Sequence, residues 1–126
     1  MIASEILDLE QYIKKNVKCN CQFGERDNDP NQYPLVEIRM TEDITPFFQN
    51  TRMQTIDLQL DLHLIVDKQN EYKALEVLER LCLKINQFNP QKGHKLIDTF
   101  TPQYVEETKT FEISVPYTLK LFIQDT

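Results

Sequence analysis

Hydrophobic and polar residues alternate through most of residues 53–66. Ile56, Leu58, Leu60, Leu62, Leu64 and Val66 occupy the even positions, and Thr55, Asp57, Gln59, Asp61 and His63 the odd ones. A period of two places successive side chains on opposite faces of a β-strand, one apolar and one polar. About twelve such residues would span roughly 40 Å, about twice the common strand length. The same alternation returns over residues 110–124. Phe111, Ile113, Val115, Tyr117, Leu119, Leu121 and Ile123 hold one phase, and Glu112, Ser114, Thr118 and Lys120 the other. Pro116 falls on the polar phase and removes a ladder donor, which predicts a bulge or an edge position there.

Two segments carry the helical period instead. Over residues 2–17, Ile2, Ile6, Leu9, Ile13 and Val17 recur at spacings of three and four, with Leu7 beside them. Ser4 is the expected cap, and Lys14, Lys15 and Lys18 suit the negative end of the helix dipole. Over residues 71–88, Tyr72, Leu75, Leu78, Leu81, Cys82, Ile85 and Phe88 form the expected apolar stripe. Asn70 is the expected cap, Asn89-Pro90 the stop, and Glu76 with Arg80 an i,i+4 pair on the wet face.

Shorter strands are predicted at residues 19–24, at 33–40 around Leu35-Val36-Glu37-Ile38, and at Leu96 to Phe100. Residues 41–51 read as irregular, Pro102 interrupts, and 103–107 receive no assignment. Two long one-sided strands need one apolar cover, and two amphipathic helices supply it. The expected fold class is therefore α+β: an antiparallel or mixed sheet with two long strands and both helices on one face, in one domain over residues 1–126.

Composition narrows the function. Gly24 and Gly93 are the only glycines among 126 residues, which argues against glycine-rich phosphate loops. The net charge of −6 argues against general nucleic-acid binding, which clustered Lys and Arg supply. No apolar run approaches the ~20 residues that cross a bilayer, and the first residues lack the pattern of a signal peptide. The three cysteines are expected to be free thiols in a reducing cytosol.

Each candidate site is weak. Cys19 and Cys21 are spaced Cys-x-Cys with no second ligand pair, which disfavours zinc. Asp27, Asp29 and Asn31 imitate a calcium loop, but Gln32 stands where the turn glycine belongs and Ile38 where the closing Glu belongs. His63 and His94 are lone histidines, read as surface or interface residues. Asp57 and Asp61 lie about 13 Å apart along one strand, too far to act on one bond. Lys92 and Lys95 with Lys14, Lys15 and Lys18 read as a scattered solvated surface. Ile44, Pro46, Phe47 and Phe48 lie in a connector, where they either fold back on the core or anchor a neighbouring subunit. No catalytic, cofactor or metal residues are assigned, and no enzyme is expected. The candidate subunit interface comprises Phe47, Phe48, Thr55, Asp57, Gln59, Asp61 and His63.

The order of elements carries a resemblance. A short N-terminal helix is followed by a loop with Arg52 and a long strand ending Leu60-Asp61-Leu62-His63-Leu64-Ile65-Val66. A helix then starts near Tyr72-Lys73-Ala74-Leu75, and the last long strand contains Ile113-Ser114-Val115-Pro116-Tyr117-Thr118-Leu119-Lys120-Leu121. Over roughly residues 1–124 this succession resembles the tail-terminator proteins of long-tailed bacteriophages and the neighbouring tail-completion and head–tail joining families. The likeness is one of architecture and pattern. The segment at 25–32 and the Cys19/Cys21 stretch have no counterpart in it. The resemblance implies a homo-oligomeric ring, typically of six subunits, in the tail or neck of a virion assembled in the host cytoplasm. Such a ring caps the tail tube, meets the head connector proteins, needs no cofactor or membrane, and lets DNA pass without specific binding. The alternative from the residues alone is a small non-enzymatic adaptor or ligand-binding α+β module.

Overall fold

The computed structural model describes residues 2–24, 29–41, 45–48, 53–88, 95–96 and 99–124, with the backbone alone for 45–48, 53–55, 95–96 and 122–124. The helices are α1 (Ile2–Asn16) and α2 (Glu71–Ile85). The strands are β1 (Asn20–Phe23), β2 (Leu35–Met40), β3 (Thr45–Phe48), β4 (Met53–Asp67), β5 (Lys95–Leu96), β6 (Thr101–Val105) and β7 (Thr110–Gln124). They form one sheet in the order β1-β2-β4-β7-β5, with β3 also on β4 and β6 also on β7. The β1–β2 pair is parallel and the other pairings are antiparallel, so the sheet is mixed and the class is α+β.

β4 and β7 form the spine. They pair over fifteen residues, from Met53 opposite Gln124 to Asp67 opposite Thr110. Their even and odd phases match across the register, so Leu58 meets Leu119 and Leu62 meets Val115 on one face. Both helices cover that face. Ile6, Leu9, Ile13 and Val17 come from α1, and Ala74, Val77, Leu81 and Ile85 from α2. They pack with Leu58, Leu60, Leu62, Leu64, Val115 and Tyr117 in one buried cluster.

The helices are tied to each other by polar bonds as well as packing. The Tyr12 hydroxyl donates to the Lys84 carbonyl at 2.6 Å, and its ring lies 5.1 Å from that of Phe88. Arg80 Nε donates to the Val17 carbonyl at 2.9 Å, just past the end of α1. A cation there satisfies an orphan carbonyl and meets the negative end of the helix dipole. The chain then turns through Lys18, whose φ of 60° is the left-handed value that glycine usually supplies after a helix.

Several sequence-based expectations need correction. α1 begins at Ile2, so Ser4 lies inside its first turn. Asn70 does precede α2, yet its side chain makes no cap bond. Arg80 bonds Val17 instead of Glu76, which lies 3.8 Å from Lys73. The stripe of α2 is also rotated. Ala74 and Val77 are buried, whereas Tyr72 and Leu75 are 86% and 52% exposed. The small Ala74 and Val77 let the helix lie close to the sheet, which turns the larger Tyr72 and Leu75 outward. Residues 45–48 are strand rather than irregular, and so are 101–105 despite Pro102. At β5 only Lys95–Leu96 are strand, and Asp98 and its neighbour Ile97 lie outside the described residues. Pro116 stands opposite Asp61 in an unbroken register with β4, so the expected bulge is absent on that side; on the other side the described partners of β7 reach Ser114 from β6 and Tyr117 from β5.

The rotation of α2 gives a direct check. Replacing the fully buried Leu81 by Ala should cost about 2–5 kcal/mol. Leu83→Ala, at a position 62% exposed, should change stability by under about 1 kcal/mol. Urea midpoints of the two variants measure the contrast, and equal losses would contradict this orientation.

Candidate functional site

The sheet face away from the helices is not the wet surface that its polar residues predict. Register sets Glu37 of β2, His63 of β4 and Ser114 of β7 in one row. The adjoining rows are Arg39, Asp61 and Pro116 on one side, and Leu35, Ile65 and Glu112 on the other. Leu35 and Ile65 are buried, and so are Glu37, Asp61, His63, Thr110 and Glu112. All of them sit on β2, β4 or β7, which have a strand on either side.

Charges removed from water need partners, and these residues supply them to one another. His63 Nδ1 lies 3.2 Å from Asp61 Oδ2, and Nε2 lies 2.6 Å from Glu112 Oε1. The Ser114 hydroxyl and the Val115 N–H donate to Asp61 Oδ1 at 2.8 and 3.1 Å. Thr110 donates to Glu112 Oε2 at 2.5 Å, and Arg39 Nε donates to Glu37. Both imidazole nitrogens thus face carboxylate oxygens. An imidazole can donate from both only as the cation.

The proton affinities agree with that geometry. Burial alone would lower the pKa of His63, but hydrogen bonds to Asp61 and Glu112 outweigh burial and the repulsion of Arg39, so the net direction is upward. Burial would raise Asp61, yet the bonds from His63 and Ser114, the His63 charge and the Val115 N–H bring it below its usual value. The bonds of the cluster pair its imidazole with two carboxylates. Ser114 gives its proton to a carboxylate and not to an imidazole, so the nucleophile–base contact of a catalytic triad is absent from it. Among the described residues no group of three or more His, Cys, Asp or Glu has the arrangement of a metal site.

The remaining predicted residues fall elsewhere. Of the seven candidate interface positions, Asp61 and His63 are taken up inside their own chain. Gln59 is half-buried and accepts from Thr118 Oγ1 at 2.9 Å. Asp57 is half-buried opposite Lys120, and its Oδ1 accepts no hydrogen bond among the described residues. Phe47, Phe48 and Thr55 lie in paired backbone, Phe47 opposite Thr55, but their side chains lie outside the described residues. Ile44, Arg52, Asp27, Lys92, Gly93 and His94 also lie outside them. Asp29 caps a short 3-10 turn at Pro30–Gln32 by accepting from the Asn31 N–H at 3.0 Å. Burial pushes the Cys19 thiol up to about 12, against the pull of Arg80, and raises that of Cys21 too. Neither thiol is a thiolate near neutral pH. Glu112 is the residue that the sequence could not connect to His63, since 49 positions separate them.

The exposed apolar residues are of a different kind. Beside the outer strand β1, a groove of about 500 Å³ is lined by Ile2, Ala3, Ile6, Leu7, Phe23 and Met40, with Glu10 at its rim. Leu7, Phe23 and Met40 are 53%, 49% and 42% exposed. On the other flank, Tyr104 of β6 is 52% exposed and donates its hydroxyl to Glu71 at 2.8 Å. The outer side of α2 shows Tyr72, Leu75 and Leu83. Among the described residues no helix is long and apolar enough to cross a membrane. A scan against protein-family models finds no match to this sequence, and a search of curated proteins finds none either.

The sign of the pH dependence follows from His63. Its folded pKa is raised above the unfolded value of about 6.5. Its contribution to stability is therefore complete below pH ~6.5 and is lost as pH rises through the folded value. His63→Gln should cost about 3 kcal/mol at pH 6, since three buried carboxylates would keep Arg39 alone as counter-charge. The gap between the urea midpoints of parent and variant should narrow between pH 6 and pH 9. A gap that widens would contradict the charged imidazole.

Proposed function

We propose that this chain is a structural subunit that assembles with copies of itself into a ring in a phage or phage-like particle. The role is that of a tail terminator, which caps the tail tube and meets the head connector. The observation that supports it best is the pair of unlike apolar surfaces on opposite flanks of one sheet. The groove beside β1 and the tyrosines near β6 each expose large apolar side chains. A head-to-tail ring needs two different surfaces per subunit, because each copy meets its two neighbours through different faces. The buried cluster around His63 fits the same role: it uses up the polar chemistry of the central strands within the subunit.

The size and apolar lining of the groove favour one second reading, a small adaptor that takes an apolar ligand or peptide there. Light-scattering mass with negative-stain imaging separates the two. A ring of six subunits of 15.0 kDa has a mass of about 90 kDa and an open centre. A 15.0 kDa particle at every concentration, with or without tail tubes, would remove the ring reading and leave the adaptor.

A further inference from the structure

We propose that neighbouring copies meet edge to edge, with β1 of one subunit running antiparallel beside β6 of the next. The inference rests on the ring reading above and names the surfaces that make the joint. Among the described residues, β1 pairs with β2 alone and β6 with β7 alone, so the two strands end the described pairing on opposite flanks. Their lengths match, four residues against five. An unpaired edge is a template for another strand.

Side-chain phase fixes how they fit. Cys21 and Phe23 pair with Val36 and Ile38 and so share the helix-covered face. Pro102 and Tyr104 pair with Ile113 and Phe111 and share that same face. Setting Cys21 beside Tyr104 and Phe23 beside Pro102 therefore continues one sheet from subunit to subunit with all helices on one side. Gln22 then meets Gln103 on the other face. Pro102 lacks an N–H, so it gives up one donor of the new ladder, but its exposed ring enters the groove formed by Leu7, Phe23 and Met40.

Charge fixes the direction. The chain enters β1 past Lys14, which pairs with Glu10, and past Lys15 and Lys18. It leaves β6 into Glu106, which Lys68 holds, and Glu107. Lys14, Lys15, Lys18, Glu106 and Glu107 are exposed. The antiparallel setting brings Lys18 opposite Glu107. A parallel setting would place the lysines against Thr101 and the two acids against the apolar groove. Opposite charges at the rim guide encounter and orientation more than they add affinity.

The full-length double variant Gln22→Cys/Gln103→Cys, treated with a short bis-maleimide, tests the joint. It should give a ladder of covalent oligomers, whereas the parent and each single variant stay at the background of Cys19, Cys21 and Cys82. Lys18→Glu and Glu107→Lys should each raise the dissociation constant for assembly about tenfold, and the two together should restore it. Rings in negative stain with no ladder would overturn this joint while the ring reading stands. A ladder on open chains without rings would support the joint and remove the ring. Strong linkage in Gln22→Cys alone would mean that β1 meets β1, and would overturn the proposal. So would a monomer that never links.

Discussion

The fifteen-residue pairing of β4 with β7 is the constraint on which the other contacts depend. Both strands alternate with period two, so one register choice decides which side chains meet on both faces. A slip of β4 by one residue would carry Asp61 and His63 under the helices and push its leucines to the opposite side. Each face thus penalises the error that the other also penalises. The helix side penalises it by loss of apolar burial, and the far side by leaving carboxylates without His63 or Ser114.

The far face contributes specificity more than raw stability. Desolvating three carboxylates and an imidazolium has a large penalty, and their mutual attraction, helped by the half-buried Arg39, offsets it only when every group is bonded. The bonds that cross strands join β4 to β7, and the Arg39–Glu37 pair lies beside them on β2. Glu37 and Arg39 come from β2, Asp61 and His63 from β4, and Glu112 and Ser114 from β7. A cluster of this kind exists only after distant parts of the chain have paired correctly. Its protonated imidazole also ties the fold to pH from the inside of the sheet, with no exposed titrating group required.

The strongly periodic elements α1, β4 and β7 were legible in the sequence because one face of each is continuously apolar. The rotation of α2 was not, because Tyr72 and Leu75 have the spacing of a buried stripe while Ala74 and Val77 have the size that close packing needs. β3 and β6 were obscured by Pro46 and Pro102, which lower strand propensity without forbidding strands that pair on one side. His63 read as a surface or interface residue because alternation predicts a face, not what lies beside it on neighbouring strands. Glu37 and Glu112 became its neighbours only through register.

The location of polar and apolar groups then bears on assembly. The acids and histidine with the most distinctive chemistry lie buried on the inner strands, satisfied by their own chain, so they have little left to offer a neighbour. What remains for a partner is at the flanks, where the strands are short and large apolar side chains meet solvent. The chain thus has a polar cluster satisfied at its centre and two unlike margins. Two unlike margins repeated from copy to copy would close into a ring where the rotation between copies closes, and would extend as a filament where it does not.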